Sequence, residues 1–414
     1  MKLHLPTIKQ FASLLVLNIT NAIFQLLLIP ILIYNTATEK LGGYFLALSF
    51  SVLASIFVNF GTSQTAVVAI RNATTEQQRQ TILAETLSLR FIPLLLATIV
   101  SCTLPFLANH GIYYLLVLPM ILAEFINPQF YLMATYKINR YTLLNLVLRL
   151  TLLLIIFLLR SNEKIIEISL FIIGVMMLLL NIFYLQSTFL KNGTIQYFPT
   201  VERIKELFKT NILVTGNSLT VHLQQSLFLF SLPSFVTPLF LSAYGLIDKL
   251  ISSFRMLVNA YSSAVMPHAA GTHLAGFAQW KKLKKQQNII LSVFCIAAGA
   301  IMYLFPNKLL TILFLGKNNN AAFFNEAANL VKLISPVPLL IALNVLNVAE
   351  LILEKKFHAY FGAGIFILFI SFLSIDALKL GLPERYAGYY PLIIEGFSLF
   401  LYILIVQKFR NEII

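Results

Sequence analysis

The sequence predicts an all-α polytopic membrane protein: about twelve transmembrane helices in two similar six-helix bundles with a central cavity. Three observations predict it. Of 414 residues, 58% are hydrophobic and only 11% charged, with 35 Phe and a mean hydropathy of +0.83, far from the balance of a globular domain in water. Apolar runs long enough to cross roughly 30 Å of hydrocarbon recur along the whole chain, separated by short polar or Gly/Pro-containing breaks. Residues of the first half also return in the second at fixed offsets.

The apolar runs centre near Asn21, Leu53, Leu96, Leu122, Leu152, Met176, Val221, Phe254, Ile296, Leu343, Phe369 and Leu399. Six fall in residues 1–200 and six in 201–414, giving an N-terminal and a C-terminal bundle. The first run, Phe11 to Ile33, follows Lys2, His4 and Lys9 as a signal peptide would. It is too long and lacks a small-residue cleavage site, so it reads as a retained span. The net charge of +14 is distributed by topology: Lys and Arg gather on alternate loops, including Lys2 and Lys9, Arg71 and Arg79, Lys137 and Arg140, and Lys281 through Lys285. That bias places both termini in the cytoplasm. The Lys281, Lys282, Lys284, Lys285 run reads as this signal plus contact with anionic lipid head groups, not as a nucleic-acid site. Cys102 and Cys295 lie inside apolar runs, so no disulfide framework is expected.

The duplication appears at polar and aromatic positions. Leu41, Tyr44, Leu46, Val58, Asn59 and Ser63 recur as Leu241, Tyr244, Leu246, Val258, Asn259 and Ser263, each displaced by 200. Asn18, Asn21 and Gln25 have counterparts 199 positions later in Asn217, Thr220 and Gln224. Pro119, Lys137 and Tyr141 recur 219 positions later as Pro338, Lys356 and Tyr360. Six spans per half put both halves in one orientation, as in transporters that bind substrate between repeats and alternate access by rocking them. The amides of the first and seventh spans are therefore expected to line a shared cavity. Their competing role is interhelical hydrogen bonding.

One helix face carries the most expensive residues. Asp248, Ser252, Arg255, Asn259 and Ser263 are spaced to share a face, and a charge within a bilayer costs several kcal/mol unless it meets protein, water or substrate. Arg255 and Arg149 fall near mid-span, whereas Arg90, Lys332 and Lys379 are placed near span ends, where snorkelling accounts for them. Lys249 points about 100° away from Asp248 on a helical wheel. Arg255 has the competing role of an ion pair, with Asp248 or with a carboxylate on another helix; for Arg149 the competing partner is Glu124. Glu124 and Glu395, also near mid-membrane, are candidates for H⁺ or Na⁺ coupling. Glu350, Glu354 and Asp376 are placed at interfaces, and His222 is either a proton relay or a structural side chain.

The run Leu41-Gly-Gly-Tyr-Phe-Leu-Ala through Asn59-Phe-Gly-Thr, closing with Arg71, resembles the second span of Wzx-type polysaccharide and O-antigen flippases of the multidrug/oligosaccharidyl-lipid/polysaccharide exporter superfamily. Their Asp-Phe-Gly element stands here as Asn59-Phe60-Gly61. The segment from Tyr244-Gly245 to Met266-Pro267 is similar to their eighth span. The resemblance implies flipping of undecaprenyl-pyrophosphate-linked oligosaccharide from the cytoplasmic to the periplasmic leaflet of the bacterial inner membrane. Membrane lipids, a polysaccharide polymerase and a chain-length regulator are the implied partners. On that reading Arg255, Asp248, Arg149, Asn18, Asn21, Gln25, Asn217, Gln224 and Asn259 bind substrate, with Arg suited to phosphate by its planar fork.

Catalytic and cofactor chemistry find no pattern: there is no phosphate loop ending in Lys-Ser/Thr, no His-Glu-x-x-His, and no metal-spaced Cys/His cluster. Two alternatives stay open. A drug or metabolite antiporter of the same superfamily fits the scaffold. A polytopic polysaccharide polymerase fits less well, because the longest loops are too short for a catalytic domain.

Overall fold

The computed structural model describes residues 5–34, 36–107, 111–189, 199–313, 321–354 and 356–411. Within them every element is helical. The first span is α1 (Leu5–Ile33); the second is α2 (Thr38–Asn59) continued by α3 (Thr62–Asn72). The third, α4 (Glu76–Thr103), starts at a capping box in which Thr75 and Gln78 satisfy each other's backbone N–H groups. Three short helices make the fourth: α5 (Ile112–Leu116), α6 (Leu118–Phe125) and α7 (Gln129–Ala134). Then follow α8 (Ile138–Leu158), α9 (Ile165–Phe189), α10 (Val201–Ser231), α11 (Pro238–Ala275) and α12 (Phe277–Leu304). A short α13 (Pro306–Leu313) precedes the bent pair α14 (Ala321–Leu333) and α15 (Val337–Leu353), and the chain closes with α16 (Phe357–Lys379) and α17 (Tyr390–Asn411).

Among the described residues nine helical stretches are long and apolar enough to cross a membrane, ten with α14 and α15, which meet at 43°. The remaining two crossings are α10 and α11, with 31 and 38 residues, more than the roughly 20 that a crossing needs. These are the helices that carry Gln224 and the Asp248–Ser263 stripe; polarity, not length, sets them apart. Each expected span centre falls inside one of these twelve units.

Helix ends repeat at offsets equal or close to those of the sequence. The 28 residues of α4 return 201 positions later as the 28 of α12, and α7 and α8 end and begin 219 positions before α15 and α16 do. Pro119 and Pro338 both lie in the first turn of their helices. The backbone N–H of Lys137 donates to Leu132 O at 2.9 Å and that of Lys356 to Leu351 O at 2.9 Å. Tyr141 meets Tyr184 with ring centroids 5.1 Å apart, and Tyr360 meets Tyr402 at 5.9 Å.

The repeats differ where the chain breaks. Phe60 and Gly61 adopt φ of 48° and 70° and divide α2 from α3. A Cβ at Gly61 would lie 3.1 Å from Val214 and 3.2 Å from Asn211 O. The position 200 residues later is Tyr261, and α11 runs through it unbroken.

Two compact units result: one of Met1–Leu17 and Gly43–Ser226, the other of Asn18–Gly42 and Leu227–Ile414. Each has apolar residues outside as well as in. On α16, Ile365, Phe366, Phe369, Phe372 and Leu373 are exposed at helical spacing while Ser371 is fully buried, the reverse of a helix in water. Helices approach closely where glycine permits. A Cβ on Gly299 of α12 would stand 2.4 Å from the backbone oxygen of Ser335, in the bend between α14 and α15. Gly299→Ala is therefore expected to cost about 3 kcal/mol through overpacking against main chain, read as a lowered melting midpoint in detergent.

Candidate functional site

Arg255 of α11 and Glu395 of α17 form an ion pair through Arg255 Nη2 and Glu395 Oε1, with side chains 19% and 12% exposed. Two residues singled out separately by the sequence, one as an anion grip and one as a coupling carboxylate, are thus brought together. Asp248 is not the partner, since seven residues put it about 10 Å along the helix axis. Asp248 instead pairs with Lys249 at 3.3 Å. The lysine stem bridges the angular separation that the helical wheel imposes, which corrects the expectation that Lys249 turns away.

Aromatic and hydroxyl groups surround the Arg255–Glu395 pair. Tyr390 and Tyr402 lie within electrostatic reach of Glu395. Tyr390 stacks on Phe228 with centroids 3.6 Å apart and planes at 4°, and its hydroxyl meets Ser371. Asn344 of α15 donates to Ser398 at 3.0 Å. Glu395, Ser398 and Tyr402 are spaced to share a face of α17, so a polar strip runs along the helix that supplies the counter-ion. The pair is only partly buried, unlike the Lys284–Glu350 pair, whose carboxylate is 0% exposed.

Of the remaining predicted residues in this unit, Asn18 and Asn259 are exposed, and Asn21 and Gln25 half-buried. In the other unit Gln224 is buried. The side chains of Asn217 and Ser263 lie outside the described residues.

Glu124 is held by two amides: Asn59 Nδ2 donates to one carboxylate oxygen at 2.6 Å and Asn127 Nδ2 to the other at 2.9 Å. Asn127 also accepts from the Gln129 N–H, Gln129 donates to Tyr141, and Tyr141 to Asn181, whose amide donates to Ala123 O at 2.7 Å. Asn59, the residue at the motif's usual carboxylate position, therefore supports a glutamate of the fourth span. Arg149 is buried, with Nη2 3.6 Å from Met177 Sδ and Tyr141 in electrostatic reach.

Three corrections concern charges assigned to interfaces. Arg90 is 1% exposed and donates to Thr62 and to backbone oxygens at the end of α6, so it is packed inside the unit and does not snorkel outward. Glu350 is 0% exposed, and Lys284 Nζ donates to it at 2.6 Å and to Asn347 at 2.7 Å. Lys284 thus leaves the solvent-facing lysine run, whose Lys281, Lys282 and Lys285 are exposed. The signal was present in the spacing of Trp280, Leu283, Lys284 and Leu291, which puts Lys284 on the buried face.

No family model and no curated protein matches the chain. Solved structures do. An outward-facing multidrug resistance MATE family transporter of the MOP superfamily matches with a TM-score of 0.65 at 12% identity, over 97% of this chain and 94% of that one. A MOP superfamily transporter from Pyrococcus furiosus, described as having a binding pocket of reverse polarity that suggests a different function, matches at 0.58 and 12% over 97% and 95%. A eukaryotic MATE transporter matches at 0.58 and 14% over 98% and 95%. The protein is a multi-pass helical membrane protein with the MATE-like fold of MOP superfamily transporters.

Proposed function

We propose that this protein is an alternating-access flippase that carries undecaprenyl-pyrophosphate-linked oligosaccharide from the cytoplasmic to the periplasmic leaflet of a bacterial inner membrane. Both termini are placed in the cytoplasm. The observation that supports this reading is the Arg255–Glu395 pair: a guanidinium on a long helix of the bundle, held by one carboxylate and partly exposed, and on this reading an incoming anion displaces that carboxylate. Pyrophosphate oxygens offer Arg255 stronger, bidentate acceptors. Once displaced, Glu395 is a half-buried anion without that counter-charge, and it takes up H⁺ or Na⁺. Anion binding and cation uptake are then one exchange at one arginine. Asn18, Asn21, Gln25 and Asn259 are assigned to sugar hydroxyls, with Arg149, Asp248, Asn217 and Gln224 as further cargo contacts and Glu124 as a second coupling candidate.

The test is Glu395→Gln. Transport by this variant is expected to lose its dependence on pH or Na⁺ while Arg255 stays in place. A dependence identical to the wild type would remove Glu395 from coupling. A second reading, drug or metabolite antiport, is favoured by the neutralised state of Arg255 and by the multidrug description of one structural neighbour. It is separated by cargo: lipid-linked oligosaccharide competes with the transported compound only if the flippase reading holds.

A further inference from the structure

Arg90 sits in an arrangement that ordinary ion pairing does not account for. Its Nη1 donates toward the backbone oxygens of Glu124, Phe125 and Asn127 at 3.0, 3.2 and 3.4 Å, where α6 ends and Pro128 interrupts the fourth span. Nε donates to Thr62 Oγ1 at 2.7 Å, at the start of α3 just past the other break. The guanidinium lies 5.0 Å from the Phe130 ring centroid, and the Glu124 carboxylate is the charge that faces it. Three carbonyl oxygens and a hydroxyl, assembled from two broken helices in a buried place, form an all-oxygen donor set, and the nearby Glu124 carboxylate supplies a single negative charge. Hard cations take such oxygen sets, and helix C-terminal carbonyls carry the negative end of the dipole.

We propose that Arg90 is a tethered cation: its guanidinium fills an oxygen-lined site that accepts a monovalent metal ion such as Na⁺ when the side chain is removed. This unit thereby carries one counter-charge for Glu124 covalently. The other unit uses the same helix seam in the same way. Lys284 on α12 reaches Glu350 on α15, and the offsets of 201 and 219 place these at the equivalents of Leu83 and Tyr131, neighbours in one apolar cluster. Leu83 is seven residues before Arg90 and Tyr131 seven after Glu124. On antiparallel helices both steps go the same way, so the tethered cation is slid by about 10 Å, two turns, between repeats. Loss of the breaks explains the shift: where the first repeat has Pro128 the second has Asn347, α15 is continuous, and no carbonyl cluster opens at the Arg90 level.

Full-length Arg90→Ala, purified in NaCl, KCl or choline chloride, tests this. Its melting midpoint is expected to rise by about 5 °C from choline to saturating Na⁺, with no comparable rise in the wild type. In Arg90→Ala/Glu124→Gln the rise should vanish. Equal midpoints in the three salts, an equal Na⁺ response in the wild type, or a response that survives Glu124→Gln each overturn the proposal. Failure to recover folded Arg90→Ala and Arg90→Gln in any of the salts does so too, because an accepting site would be filled during folding.

Discussion

Arg255→Ala is expected to lower transport of the lipid-linked oligosaccharide by at least about 100-fold, with surface polysaccharide lost while the protein still reaches the membrane. Truncating one partner of a desolvated charged contact costs about 2–5 kcal/mol, and about 2.7 kcal/mol already amounts to a hundredfold. Part of that cost is structural, since Glu395, 12% exposed, is left without its guanidinium. Arg255→Ala/Glu395→Gln separates the two contributions. Neutralising the orphaned carboxylate restores the melting midpoint, whereas transport stays low because the anion grip is still missing. Arg255→Lys should fall between, keeping the charge but losing the bidentate fork.

Lys284→Ala is expected to have the largest effect on stability, about 3–5 kcal/mol, because it removes the ammonium from a buried ion pair. Glu350 is 0% exposed, and the Asn347 oxygen that accepts from Lys284 at 2.7 Å loses its donor as well. Lys284→Met/Glu350→Leu, which removes both charges and keeps the volume, is expected to return close to wild-type stability. Trp280, the single tryptophan of the chain and 1% exposed, lies one turn before Lys284 and reports the change directly. Its emission should shift to the red in Lys284→Ala and not in the double variant.

Much of the architecture was legible because lipid imposes long apolar helical stretches, and each expected span centre lies within one of the twelve helical units. The repeat was legible for a related reason: Pro119, Lys137 and Tyr141 shape helix ends and an aromatic pair, so their offset reappears in the helix boundaries. Breaks inside spans were harder. Asn59-Phe60-Gly61 was visible as a motif, but that it divides a helix depends on positive φ at Phe60 and Gly61, which the spacing of apolar residues does not encode. At the candidate site, Arg255 and Glu395 were each conspicuous for their depth, yet their pairing links α11 to α17 across 140 residues, which no local periodicity encodes. Arg90 was misplaced because the groups that hold it inside the unit, Thr62 and the backbone oxygens of Glu124 and Phe125, lie 28, 34 and 35 residues away and leave no local pattern. Lys284 was read with its exposed neighbours because a charge run outweighed the helical spacing that buries it.

The account rests on Arg255 gripping an anion, not merely balancing Glu395. The most direct measurement follows undecaprenyl-pyrophosphate-linked oligosaccharide in proteoliposomes, by the rate at which the labelled lipid becomes accessible to an impermeant outside reagent. Wild-type protein should accelerate exposure well above protein-free vesicles, and Arg255→Ala/Glu395→Gln, folded and inserted equally well, should sit at the background. Flipping by that double variant at the wild-type rate would contradict the account.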